Sequence, residues 1–224
     1  MPVVVRDAEV AAATFLVPAG PVQELIAETG LRVARVLGGR ALCSLAVIDY
    51  KDNDLGDYNE VAVAFLVRPH DGGKGMAPYI HRLPVDQEFT CEAGRSIWGF
   101  PKWVTRIDVV DEARTRSVVL SDDGRHVLTL AVRRSPVPLP SRDLDMQAYS
   151  FRDGVLRRTP WSTRNQGVAG RPGGATLVLG EGHPMAEELR RIGLPRRALM
   201  SSTVARMEAT FGEAEVCPAP GRRA

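Results

Sequence analysis

Along most of this chain apolar and polar residues alternate over short runs, the period of half-buried strands rather than of helices. "ATFLVP" (13–18), "LRVARVL" (31–37), "RALCSLAVIDY" (40–50), "EVAVAFLV" (60–67) and "APYIHRL" (77–83) are such runs in the first half. "WVTRIDVVDE", "RSVVLS" and "HVLTLAVRR" follow between 103 and 134 as a meander. "GGATLVLG" (173–180) and the long "LMSSTVARMEATFG" (199–212) come near the end. Turn residues separate the runs. Gly38-Gly39 predicts a hairpin between the second and third. Asp-Gly at 123–124, and again within "QAYSFRDGVLRRT" (147–159), predicts two more, because Gly adopts positive φ freely and Asp tolerates it. "PVPLPS" (136–141) holds three prolines and reads as a linker or an edge crossing.

Three stretches break the strand rhythm. "PVQELIAETG" (21–30) has Pro at its first turn and Gly at its end, and "HPMAEELRRIGL" (183–194) has Pro near its start, so both predict helices. In "VDQEFTCEAGRSIWG" (85–99), Phe89, Ala93 and Ile97 recur every four residues and share one helical face. Asp86 is the expected N-cap, and Glu88 sits in the first turn, where the helix dipole favours an anion. Gly99 and Pro101 stop that helix. Many short strands with three short helices predict a mainly β (α+β) fold, a largely antiparallel barrel or bent sandwich carrying helices at its ends. Residues 1–216 are expected to form a single domain and 217–224 a disordered tail.

Composition removes several classes of function. A formal net charge of +2, with no basic run longer than a pair, excludes a nucleic-acid arm. No stretch reaches the length of a membrane span, and "MPVVVRDAEV" lacks the order of a signal peptide. Cys43, Cys91 and Cys217 are widely spaced, with no C-x-x-C, and the four histidines are isolated. Neither a disulfide framework nor a bound metal is expected, and no cofactor. The expectation is a cytoplasmic protein.

One residue changes the picture. Of 29 basic residues 26 are arginine, and one of the three lysines, Lys102, stands in the apolar run "SIWGFPKWV". A lysine amine is a nucleophile only when neutral, and burial disfavours the ammonium. A neutral amine attacks a ketone or aldehyde to form an imine. Once protonated, the imine is an electron sink for decarboxylation, aldol addition or dehydration. Read blandly, Lys102 lays its stem on apolar surface with the ammonium in water.

"EAGRSIWGFPKW" (92–103) resembles the signature of the acetoacetate decarboxylase family, in which Gly-Arg-Glu leads through an aromatic residue to Pro-Lys. The resemblance extends upstream to "LGDYNEV" (55–61), similar to that family's tyrosine–x–glutamate loop. Downstream it covers "GGATLVLGEGHPMAEELRRIGLPRRALMSSTVARMEATFG" (173–212), and it is weakest before residue 40 and between 136 and 172. It implies a conical antiparallel β-barrel with a few flanking helices, Lys102 as the imine lysine and Glu60 as the acid beside it. It also implies Tyr58, Trp98, Phe100 and Arg6 as substrate-binding residues. A small-molecule keto acid is the implied partner, and a homo-oligomer the implied assembly.

Departures from the family pattern are as informative. The second lysine that follows the first in the decarboxylase is Trp103 here, which leaves desolvation to make the amine neutral; alternation along a strand turns Trp103 away from Lys102. A gap-free count back from Glu60 puts Leu45 where decarboxylases carry a second acid. Ser96 replaces the glutamate after Gly-Arg, and Arg6 is the nearest candidate for the family's N-terminal arginine. Arg95, three residues after Glu92, is expected to pair with a carboxylate. The implied activity is a Schiff-base carbon–carbon lyase, first of all decarboxylating a β-keto acid. The alternatives are aldol, dehydratase or cyclase chemistry on a 2-oxo acid or natural-product intermediate, and a non-catalytic ligand-binding barrel.

Overall fold

A computed structural model describes residues 2–69, 75–141 and 143–218. Lys74 and residues 219–224 of the expected tail therefore lie outside the described residues. The first half runs β1 (Val3–Val17), α1 (Ala19–Leu25), β2 (Arg32–Val33), β3 (Ala41–Asn53), β4 (Tyr58–Arg68), β5 (Ala77–Arg82) and α2 (Glu88–Trp98). A meander follows: β6 (Arg106–Glu112), β7 (Thr115–Asp122) and β8 (Arg125–Arg133). The chain ends with β9 (Leu144–Arg152), β10 (Val155–Pro172), β11 (Ala175–Leu179), α3 (Pro184–Arg191), β12 (Met200–Phe211) and β13 (Glu215–Val216). No helix among the described residues is long and apolar enough to cross a membrane.

Seven strands close on themselves in the order β12-β1-β3-β4-β5-β9-β10, because β10 pairs with β9 on one side and β12 on the other. Every pairing in this ring is antiparallel except β5–β9, where Tyr79 and Ile80 run parallel to Tyr149 and Ser150. A second, four-stranded sheet (β11-β8-β7-β6) lies outside the ring. The Asp-Gly hairpins form where expected, with Asp123, Gly124, Asp153 and Gly154 all at positive φ.

Three expectations are corrected. Gly38-Gly39 does not join a hairpin of the second and third runs: it sits in a 3-10 turn closed by Val36 and Arg40, and β2 pairs with β4. β10 is 18 residues long, more than three times the run after the Asp-Gly turn that the sequence suggested. Pro160 and Gly167 hide the rest, yet Gly167, at φ +63°, lets the strand bend where a Cβ would lie 2.7 Å from Ala205 Cβ. Cys217, placed in the tail, donates its backbone N–H to Leu156 O at 2.9 Å.

Alternation along the ring strands sorts side chains into two hydrophobic clusters. On β4, Val61, Val63, Phe65 and Val67 face outward into a core shared with the second sheet and with α1 and α3. Their neighbours Tyr58, Glu60, Ala62 and Ala64 face the lumen. On the inner face of β4 the residues after Glu60 are the small Ala62 and Ala64, which leaves room in the lumen.

Candidate active site

Three plies of backbone bring Lys102 to Glu60. Residues 83–85 run beside β4: Val61 N donates to Pro84 O at 3.0 Å, and Glu60 bridges Val85. The chain leaving α2 then runs parallel to 83–85, with Val85 N bonded to Trp103 O at 3.0 Å and Thr105 N to Val85 O at 2.8 Å. Lys102 Nζ consequently lies 2.8 Å from Glu60 Oε2. It also donates to Thr90 Oγ1 at 3.3 Å and stands 5.0 Å from the centre of the Tyr58 ring. Lys102 is 4% and Glu60 5% exposed, so both charges are taken out of water.

Helix α2 is shaped for the lysine stem. A Cβ on Gly94 would lie 2.6 Å from Lys102 Cδ and 2.7 Å from Cε, so only glycine lets the side chain cross the helix there. The buried face is Thr90, Cys91, Gly94 and Trp98, and not the one read from the sequence: Phe89 is 63% and Ile97 38% exposed. The N-cap is Gln87, whose side chain accepts from Thr90 N at 2.6 Å. Asp86 instead accepts from both the backbone N–H and the side-chain amide of Asn59, at 2.8 Å each, and so ties the helix entrance to the residue before Glu60. Arg95 pairs with Glu92 at 3.3 Å and also donates to Lys102 O at 2.8 Å.

Around the pair lies a cavity of about 230 Å³ to which all seven ring strands contribute, almost wholly with apolar side chains. Tyr50 donates to Glu60 Oε1 at 3.3 Å and stacks on Tyr58 with ring centroids 4.4 Å apart. Burial, reinforced by the Glu60 charge, raises both phenols well above their ordinary range and keeps them protonated donors. Among the described residues no three His, Cys, Asp or Glu side chains converge to hold a metal ion.

The structure brings Lys102, Glu60, Tyr58, Trp98 and Phe100 together at this cavity. It does not bring Arg6, which is held at the surface by Asp52 at 2.8 Å and Asp54 at 2.7 Å. Among the described residues no arginine lines the cavity. Leu45 is fully buried in the outer cluster, so the gap-free count lands on the wrong face of β3; its lumen-facing neighbours are Ala46 and Ile48. No second acid stands at either. Trp103 packs against the outer cluster, and the ring over the ammonium is Tyr58. Sequence reasoning missed Thr90, Gly94 and Tyr50. The spacing Thr90–Gly94–Trp98, one turn per step with two small residues, was the available signal for the first two.

Fold and site together define a closed β-barrel with one lysine–carboxylate pair sealed in an apolar lumen. A family model described as acetoacetate decarboxylase (ADC) matches residues 1–217, and the chain belongs to that family of enzymes. Among solved structures it is similar to an acetoacetate decarboxylase at 17% identity and a TM-score of 0.70, covering 99% of this chain and 91% of that one. It is similar also to the acetoacetate decarboxylase of Legionella pneumophila at 15% identity and a TM-score of 0.68, covering 97% and 88%. A third, the enduracididine biosynthesis enzyme MppR complexed with pyruvate, has 16% identity and a TM-score of 0.65, covering 96% and 89%. At these identities the likeness speaks for the fold. No curated protein sequence matches the chain.

Proposed function

We propose that this protein is an imine-forming carbon–carbon lyase that decarboxylates a β-keto acid on Lys102, with Glu60 as proton carrier. The observation that carries this is the 2.8 Å Lys102–Glu60 pair, buried in an otherwise apolar lumen. Away from water, passing a proton from Lys102 to Glu60 replaces two poorly solvated charges by two neutral groups. The neutral amine then adds to the substrate ketone. Glu60 returns the proton to the new hydroxyl, which leaves as water and yields the iminium. The electron pair of the bond to the carboxylate moves into the iminium, carbon dioxide leaves, and an enamine remains. Glu60, reprotonated from solvent, delivers its proton to the enamine carbon. Water then adds to the iminium and frees both ketone and amine. One solvent proton is consumed per carbon dioxide.

Decarboxylation is favoured over reactions that keep a carboxylate. A retained carboxylate, such as that of pyruvate, needs a cationic partner, and among the described residues the cavity offers none beyond the reacting lysine. A departing carboxylate sheds its charge, which an apolar wall assists. The same lining supports a second reading, aldol addition, dehydration or cyclisation of a keto intermediate that carries no carboxylate. The family model over 1–217 supports the single-domain expectation; a homo-oligomer in the cytoplasm is part of the same proposal.

Borohydride trapping tests it. Incubation with a β-keto acid and reduction should leave a stable adduct on Lys102 and on neither Lys51 nor Lys74, with carbon dioxide released before trapping. Lys51 is exposed and paired with Glu9. Adduct without carbon dioxide, and a condensation product on adding an aldehyde, would favour the second reading. Folded protein that forms no adduct with any keto compound would leave only a binding barrel.

A further inference from the structure

Four aromatic rings form a continuous wall of the lumen that starts two residues from the lysine. Phe100 and Trp98 have centroids 5.4 Å apart, Trp98 and Phe211 5.6 Å, and Phe211 and Trp161 5.2 Å, the last pair stacked at 23°. All four line the cavity. Trp98 is fixed at both ends of its residue: its Nε1 donates to Gly212 O at 2.8 Å, and its carbonyl accepts from Ser150 Oγ at 2.8 Å. The wall is therefore braced in place, and it ends on β10. That strand faces β4 across the ring, since β5 and β9 separate them one way and β3, β1 and β12 the other.

At the far end of the wall two polar atoms are buried and have no partner among the described residues, Trp161 Nε1 and Thr159 Oγ1. They stand two residues apart on one face of β10, and both residues line the cavity. Thr159 is 1% exposed. A buried hydroxyl or indole N–H without a partner opposes folding, and such groups are few in native proteins. Both can donate, and they stand on the strand across the ring from β4 in a cavity whose lining is mostly apolar.

We propose that the substrate of this site is a keto compound with an extended apolar body, aromatic or unsaturated, that lies along the ring wall from Lys102. Its far end carries an oxygen acceptor, to which Trp161 Nε1 and Thr159 Oγ1 donate. This rests on the imine reading above for which end of the substrate meets Lys102. Acetoacetate, with neither body nor distal oxygen, uses only the lysine end of the cavity.

Acetone, benzylacetone and the para-methoxy analogue of benzylacetone separate these elements. The concentration of each giving half-maximal borohydride trapping on Lys102 is measured, and binding of each is measured in parallel by calorimetry without borohydride. Benzylacetone should act at a concentration at least about tenfold below acetone. The methoxy analogue should gain about tenfold more, the usual worth of a hydrogen bond to a buried group. Thr159→Val and Trp161→Phe should each reduce that second gain, read within each variant as the ratio of benzylacetone to its methoxy analogue, and Thr159→Ser should keep it. Thr159→Val should also raise Tm, because an unpartnered hydroxyl is replaced by a methyl of the same shape, which separates lost recognition from a damaged fold. Equal affinity for acetone and benzylacetone overturns the apolar body. A methoxy gain that is missing in the parent, or unchanged in both variants, overturns the distal acceptor. If calorimetry shows both gains but no ketone is trapped, the imine reading fails and the recognition pattern stands.

Discussion

Lys102 was legible at the scale of single residues because the chain otherwise writes its cations as arginine, and an apolar run is the wrong place for a solvated ammonium. What its side chain touches was not legible. Glu60 follows from family resemblance, whereas Thr90, Gly94 and the Tyr58 ring are neighbours made by the path of the chain after α2. Two substitutions test this geometry. Glu60→Gln keeps the shape and removes the charge, leaving an ammonium buried without a counter-ion, so the neutral amine becomes the less costly form. Lys102 should still be trapped by borohydride, while turnover falls by about 100- to 10,000-fold through loss of the proton carrier; turnover equal to the parent's would make Glu60 a bystander. Gly94→Ala should leave the helix intact, since Ala is favoured over Gly by about 1 kcal/mol in a helix interior. Its methyl would lie only 2.6 Å from Lys102 Cδ, too close for contact, and push the amine from Glu60. Unchanged melting with trapping reduced at least about tenfold is the expected result, and full trapping would show that the lysine stem has another route.

Elements were legible where local chemistry decides them and illegible where tertiary contacts do. The Asp-Gly hairpins and the Gly99 stop of α2 are local, and they form as read. The buried face of α2 is not local. Phe89, Ala93 and Ile97 are the more apolar stripe, but the helix turns Thr90 and Gly94 inward because the lysine must pass there. β2 likewise pairs with β4 and not β3, since a two-residue strand is placed by the sheet edge it finds. Asp86 shows how one contact can set an element. It was expected to cap α2, and it clasps Asn59 on β4 through both carboxylate oxygens. Asp86→Ala would leave the Asn59 backbone N–H without its partner at a part-buried position, a loss of roughly 1–3 kcal/mol. Chemical denaturation should show that loss. Turnover should fall as well, because the clasp fixes the residue next to Glu60, and Asp86→Asn should restore part of both. Stability lost with turnover unaffected would confine Asp86 to a structural role.

At the scale of the whole molecule, alternation announced strands but could not say which meet. The ring is closed by β10 with β12 and by the parallel β5–β9 contact, pairings between segments tens of residues apart that no periodicity encodes. An ionic cluster ties α3 to the ring. Glu188 on α3 accepts from Arg82 at 2.8 and 3.1 Å and lies 2.9 Å from His81 Nε2, both on β5 beside the parallel junction. Burial pushes the Glu188 carboxyl up, but the hydrogen bonds and charges of His81 and Arg82 outweigh it and hold the group down to about 2, from an ordinary value of 4.5. Between those two pH values the unfolded chain binds a proton that the folded protein does not. The stability contributed by Glu188 is therefore complete above about pH 5 and is lost as the pH falls towards 2. The difference amounts to roughly 3 kcal/mol, of which about 2 kcal/mol is gone near pH 3. Denaturant midpoints for the parent and Glu188→Gln should thus lie well apart at neutral pH, draw together by pH 3 with roughly 1 kcal/mol of the difference left, and converge only towards pH 2. Parallel loss of stability in both proteins through this window would assign the acid limb to other carboxylates and leave α3 held to the barrel by its apolar face alone.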